Sequence, residues 1–259
     1  MTGKTHLIIP DPHSHPDHNN DRADWIGKLI KEVKPDLVMN MGDTADLPSL
    51  SSFDKGKASF HGASYAKDIN AHLDFQERLW APMKKSKKKR PHRVILEGNH
   101  ERRINTVLEQ EPHLASGGTG FGISYRDLDF ESYYDDIHWY RGGTPAVATY
   151  DDIAYAHFFI SGVMGRAMGG ANHASTMLNK NHCSSTCAHS HLLDFAVQTD
   201  ARGKKMMGLV AGVGQDYNSG WAGDVNRLWW QGVIIKRNVA DGLYDPQFVS
   251  MNTLRKEYG

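Results

Sequence analysis

The sequence predicts an α/β protein. Over the first hundred residues, short apolar runs alternate with stretches of helical spacing, and from Gly117 onward glycine, aromatic residues and strand-like runs take over. In addition, acidic, amide and histidine residues gather where the early apolar runs end.

The first strand is read at residues 5–10. Trp25, Ile26, Leu29, Ile30 and Val33 then recur at helical spacing, and residues 36–41 form a second apolar run. Residues 62–82 are helix-like, with Leu73, Phe75, Leu79 and Trp80 as the buried side, and a third strand follows at 93–96. A βαβαβ order of this kind predicts a parallel sheet joined by right-handed crossovers. In the second half, residues 146–149, 153–157, 206–213 and 229–235 read as strands.

At 259 residues, 39% hydrophobic and 23% charged, the chain is long enough for one large domain, expected over residues 1–259. No run of about 18 apolar residues suggests a membrane span. The first apolar run is too short for the core of a secretory signal, so export is not expected. Cys183 and Cys187 lie four residues apart and cannot staple distant parts of the chain, which fits a reducing, cytoplasmic setting. Lys plus Arg and Asp plus Glu balance at 30 each, so contact with nucleic acid or a membrane must be local. The basic run at 84–93 is the candidate for nucleic acid, set against a solvated helix end and turn. The outlying count is histidine, at 15 residues, because imidazole is the commonest metal ligand.

Asp11-Pro12-His13 follows the first strand, Gly42-Asp43 the second, and Gly98-Asn99-His100-Glu101 the third. The carboxyl ends of parallel strands share one edge, so these groups are expected to converge there. Glycine at 42 and 98 suits sharp exits where a side chain would crowd the turn or forbid a positive φ. His157 ends another strand-like run. His189 and His191 are two apart, a spacing that places both on one side if the segment is extended.

These blocks resemble the calcineurin-like metallophosphoesterase superfamily. Its pattern appears here as Asp11/His13, Gly42-Asp43-Thr44-Ala45-Asp46, Gly98-Asn99-His100-Glu101, His157 and His189/His191, in order. Ala188 and Phe158 stand where the pattern often has glycine, and the long gap from Asp43 to Asn99 suggests an extended helical insertion around 48–91. Asp46-Leu47-Pro48 departs from the protein Ser/Thr phosphatase branch, and Thr44 cannot supply the tyrosine ligand of purple acid phosphatases.

The resemblance implies an α/β/β/α sandwich of two mixed sheets flanked by helices, and a two-metal phosphoester hydrolase. It assigns Asp11, His13 and His191 to one metal, Asn99, His157 and His189 to the other, and Asp43 as the bridge. A hydroxide shared between the ions would attack phosphorus while His100 protonates the leaving alkoxide. Asp46 and Glu101 are expected to orient these groups. Oxygen and nitrogen donors without thiolate suit Mn²⁺, which is favoured, and also Fe, Zn²⁺, Ni²⁺ or Co²⁺. A phosphodiester of nucleotide or nucleic-acid type is the favoured substrate. A phosphomonoester and a non-catalytic metal-binding scaffold are the alternatives.

Arg102 and Arg103 follow the third block at an expected helix start, and Arg102 is the candidate contact for substrate phosphate, set against a surface-charge reading of both. His15 and His18 read as exposed loop histidines, and Trp221, Trp229 and Trp230 as core rather than a stacking surface. A zinc site built from His182, Cys183, Cys187 and His189 is set aside in favour of buried, strand-packed cysteines. The glycine-rich stretch 117–122 reads as a loop.

Overall fold

The computed structural model describes residues 3–84, 90–115 and 122–259. In its first sheet, β1 (Lys4–Ile9), β2 (Leu37–Asn40), β3 (His92–Leu96) and β4 (Asp136–His138) are parallel neighbours. The second sheet has the order β10 (Leu193–Thr199), β11 (Lys205–Ala211), β9 (Ser185–Cys187), β6 (Ile153–Tyr155), β5 (Ala148–Tyr150). Outside it, β7 (Ile160–Ser161) and β8 (Arg166–Ala167) make a small hairpin. Two antiparallel strands, β12 (Gly232–Ala240) and β13 (Leu243–Ser250), extend the first sheet beyond β1.

Both faces of the first sheet are covered, which is why its parallel strands are continuously apolar instead of alternating. Leu7, Ile9, Val38 and Ile95 face α1 (Asp21–Val33) and α2 (Tyr65–Lys84) through Ile26, Ile30, Phe75 and Leu79. Ile8, Met39, Leu96 and Ile234 face the second sheet and meet Tyr155, Leu209 and Ala211. A third layer packs Ala154, Cys187 and Val210 on Ala174 and Met177 of α5 (His173–Asn181). The short helices α3 (Arg103–Gln110) and α4 (Phe130–Tyr133) follow β3, and α6 (Met251–Tyr258) closes the chain against α1. These layers form the α/β/β/α sandwich of two mixed sheets that the motif resemblance implies.

Several elements depart from sequence expectation. Leu73 is only half-buried, and His72 takes its place on the inner side of α2. Trp229 and Trp230 precede β12 instead of belonging to it. β4, three half-buried residues at a sheet edge, is too short for an alternation to register. Residues 85–89 of the basic run and 117–121 of the glycine-rich stretch lie outside the described residues. No helix among the described residues is long and apolar enough to cross a membrane.

Candidate metal centre

The site is built at the carboxyl ends of β1, β2, β3 and β6, faced by the loop after β9. Five of its residues hold positive φ without being glycine: Asp11 (34°), His13 (45°), Asp43 (49°), His189 (66°) and His191 (60°). Each such conformation costs on the order of 1–3 kcal/mol, so surrounding contacts must impose it. The extended geometry expected for His189 and His191 is therefore not adopted: β9 stops at Cys187, and left-handed backbone at both residues turns the chain. Gly42, at φ 98°, occupies the mirror-image region open to glycine. At Gly98 a Cβ would overlap the Asp43 carboxylate and its backbone amide.

Three side chains hold the loops. Arg22, fully buried, donates from Nε and Nη2 to the Pro12 carbonyl and from Nη2 to the His13 carbonyl, at 2.9–3.2 Å. Tyr217 adds its hydroxyl to the His13 carbonyl at 2.6 Å. Buried Glu101 accepts from the Asp43, Ala45 and Gly98 amides, each at 2.9 Å, tying the second block to the third.

The donors fall into overlapping groups whose ligating atoms lie within 4.8 Å of one another: Asp11, His13 and His191; Asp43, His157 and His189; and His13, Asp43 and His100. Asn99 joins the second through Oδ1, 2.9 Å from His157 Nε2. His157 Nδ1 donates to the Met41 carbonyl at 2.9 Å, which leaves Nε2 as the ligating atom. His13 and His191 point Nε2 at each other across 3.1 Å. Phe158, in place of the glycine frequent in the pattern, lies 4.7 Å from the His189 ring.

Asp46 reaches both His13 Nδ1, at 3.1 Å, and His100 Nδ1, at 2.8 Å, through Oδ1. His100 Nε2 lies 3.8 Å from Asp43 Oδ2 and 3.2 Å from Arg103 Nη2. Arg103 also donates to the Asp46 and Leu47 carbonyls at 2.7 and 3.2 Å. Arg102 instead places its guanidinium 5.6 Å from the Tyr140 ring centre. Arg103 thus contacts the cluster where sequence reasoning favoured Arg102. The available signal was helical spacing, since residue 103 is three beyond His100 and shares its side of the turn. Arg22 lies nine residues past His13 on α1 and Tyr217 is 204 residues from it, and neither belongs to a motif block that could have marked it.

As bare side chains, these groups drive their proton affinities apart. Burial raises the Asp11 carboxyl to about 8. Burial alone would depress His157, but the Asp43 and Asp11 carboxylates outweigh it and raise the imidazole to about 10. Burial lowers His189 to about 4 and His191 to about 2, leaving them as lone-pair donors. Asp11 Oδ1 is buried without a hydrogen-bond partner. An orphaned carboxylate oxygen, opposed imidazole nitrogens and a mixed oxygen and nitrogen donor set fit divalent cations. No cysteine belongs to such a group among the described residues. Cys187 Sγ lies 3.7 Å from His173 Nε2, and Cys183 Sγ 3.6 Å from Ser185 Oγ.

A sandwich with this donor set at its strand ends defines a metallophosphoesterase-type protein. The calcineurin-like phosphoesterase family model matches residues 5–191, and the chain belongs to that family. Membership implies metal-dependent phosphoester hydrolysis. Comparison with curated proteins finds no match. Among solved structures, TT1561 of Thermus thermophilus is similar at 9% identity, with 95% of this chain and 99% of that chain covered and a TM-score of 0.36. A likeness that low carries no argument.

Proposed function

We propose that the chain is a two-metal phosphodiesterase. The observation that carries the diester reading is a pair of cavities, of about 600 and 540 Å³, that share Arg103, Phe60 and Ala63 as walls. One reaches His100 and Asp46, the other Asn99, so a phosphate between them would have room for a substituent on each side.

Asp11, His13 and His191 would hold one cation, Asn99, His157 and His189 a second, with Asp43 between them. When bound, such a pair lowers the pKa of water toward neutrality and neutralises phosphate charge. The chain's own residues do the rest. Asp46 fixes the His13 and His100 rings from behind through their Nδ1 atoms. His100 presents Nε2 toward the site to carry the proton for the departing oxygen. Arg103 is placed to bind a non-bridging phosphate oxygen, and its contact with His100 couples that binding to the ring.

The test is hydrolysis of bis(p-nitrophenyl) phosphate and p-nitrophenyl phosphate by metal-stripped protein resupplied with Mn²⁺. The expected result is turnover of the diester, with His100→Ala losing on the order of a hundredfold or more in kcat. Activity confined to the monoester would overturn the diester reading, and inertness with every divalent metal would favour the scaffold.

A further inference from the structure

The larger cavity runs from the reaction centre to an aromatic surface. His100, Arg103, Tyr217 and Trp221 all line it. Trp221 stands on the short helical segment 220–228 and is 71% exposed. The expectation that it fills a core fails, because the segment is kinked at Gly223 and lies ahead of β12, leaving the indole exposed beside the cavity. Trp221 and Trp229 pack with ring centres 5.6 Å apart, and Trp229 meets His191 edge-on at 4.3 Å. Also lining the cavity, His18 stacks on Tyr217 at 3.7 Å with 13° between the rings. Aromatic rings thus continue from a candidate metal ligand, His191, through Trp229 to Trp221 in the cavity wall.

An indole this exposed forgoes the burial its apolar area would gain in a core, and an aromatic face open to a cavity is a surface on which a base can stack. The rim around it is polar, with His15, Asp17 and Ser219 facing the same space. An acyl chain would want an enclosed apolar tunnel, whereas a flat heterocycle offers a face to the indole and hydrogen-bonding edges to the rim.

We propose that the cavity wall formed by Trp221 and the His18–Tyr217 pair is a subsite for a nucleobase, which makes the substrate a nucleoside phosphodiester with its base on Trp221. The proposal rests on the phosphodiesterase reading for its phosphate position and adds the identity of one substituent. Tyr217 links subsite and centre, since its ring lines the cavity while its hydroxyl holds the His13 carbonyl.

The experiment compares two substrates with the same leaving group, thymidine 5′-(p-nitrophenyl) phosphate and methyl p-nitrophenyl phosphate, on Mn²⁺-loaded wild type, Trp221→Ala and Trp221→Phe. Base stacking by one aromatic ring corresponds to roughly a five- to hundredfold effect. Wild type is expected to prefer the thymidine diester in kcat/KM, and Trp221→Ala to reduce that preference by about tenfold, mainly through KM. Trp221→Phe should restore most of it. A preference unchanged by Trp221→Ala, or no preference in wild type, overturns the subsite. A second arm reads binding without turnover: AMP should quench wild-type tryptophan fluorescence at concentrations where ribose 5-phosphate does not, and Trp221→Ala should lose the difference. If neither diester is hydrolysed, the phosphodiesterase reading fails, and the quenching arm alone decides the subsite, with equal responses to AMP and ribose 5-phosphate overturning it.

Discussion

His6 and His157 are both fully buried, and the two environments treat them oppositely. His6, on β1, bonds Tyr155 at 2.8 Å and Asp151 at 2.9 Å, while His157 lies two residues beyond Tyr155, past the end of β6. Around His6, burial and then the nearby Lys236 lower the imidazole to about 4. Lys236 is itself fully buried, its Nζ on Thr186 Oγ1 at 2.5 Å, and burial holds it well below the ordinary lysine range. Around His157, two buried carboxylates overcome the same desolvation. Equal burial thus gives a neutral structural histidine in one place and, in the other, a proton-rich cluster poised to exchange protons for metal. The lesson is that the histidine excess has no single cause. What separates His157 from His6 is the pair of buried carboxylates, Asp43 and Asp11, beside it.

Acid unfolding should break this comparison most visibly. His72, buried against Phe130 with its ring bonded to the Leu128 carbonyl, belongs to the His6 kind, and burial lowers it to about 4. Its unfolded value lies near 6.5, so between those limits the unfolded chain binds the extra proton. Stability from this group is therefore complete above pH 6.5 and falls as the pH drops to 4, by roughly 3 kcal/mol. Urea unfolding measured from pH 7 to 4 should show that slope, and His72→Gln should flatten it by the same share. Parallel slopes in the two proteins would remove His72 from this class.

Next in size is Asp46→Asn, which weakens the carboxylate that holds His13 Nδ1 at 3.1 Å, while His100 Nδ1 keeps the Asp46 backbone carbonyl at 2.8 Å. Support of this kind is worth about 10–100-fold in metal affinity. Calorimetric Mn²⁺ titration should show that loss with the unfolding midpoint near wild type, whereas unchanged affinity would mean that the loops hold the rings unaided. The smallest effect is expected from Tyr217→Phe, which removes one hydrogen bond to the His13 carbonyl. At about 1 kcal/mol, it should weaken Mn²⁺ binding severalfold, and full wild-type affinity would show that Arg22 alone secures the loop.

Much of this centre was legible in the sequence. The blocks at 11–13, 42–46 and 98–101 stand at the ends of apolar runs, and parallel topology brings strand ends together whatever their separation along the chain. Glycine at 42 and 98 signalled tight exits that the backbone requires. The left-handed conformations of Asp11, His13, Asp43, His189 and His191 left no such trace, because side chains normally avoid that region and only tertiary contacts enforce it. The clamp from Arg22 was equally hidden: an arginine within an amphipathic helix reads as surface, yet this one is enclosed by carbonyls and by the Phe75 and Tyr217 rings. In the second half, α5 and β10 were missed because their apolar spacing is short and one face of β10 stays open.

The carboxylates and histidines at the strand ends are proposed to form a two-cation site organised on Asp43. Titrating metal-stripped protein with Mn²⁺, and separately with Zn²⁺, tests it most directly. Two ions should bind per wild-type chain, and Asp43→Asn should weaken uptake at both positions. Wild type that takes up one ion or none of either metal would contradict it.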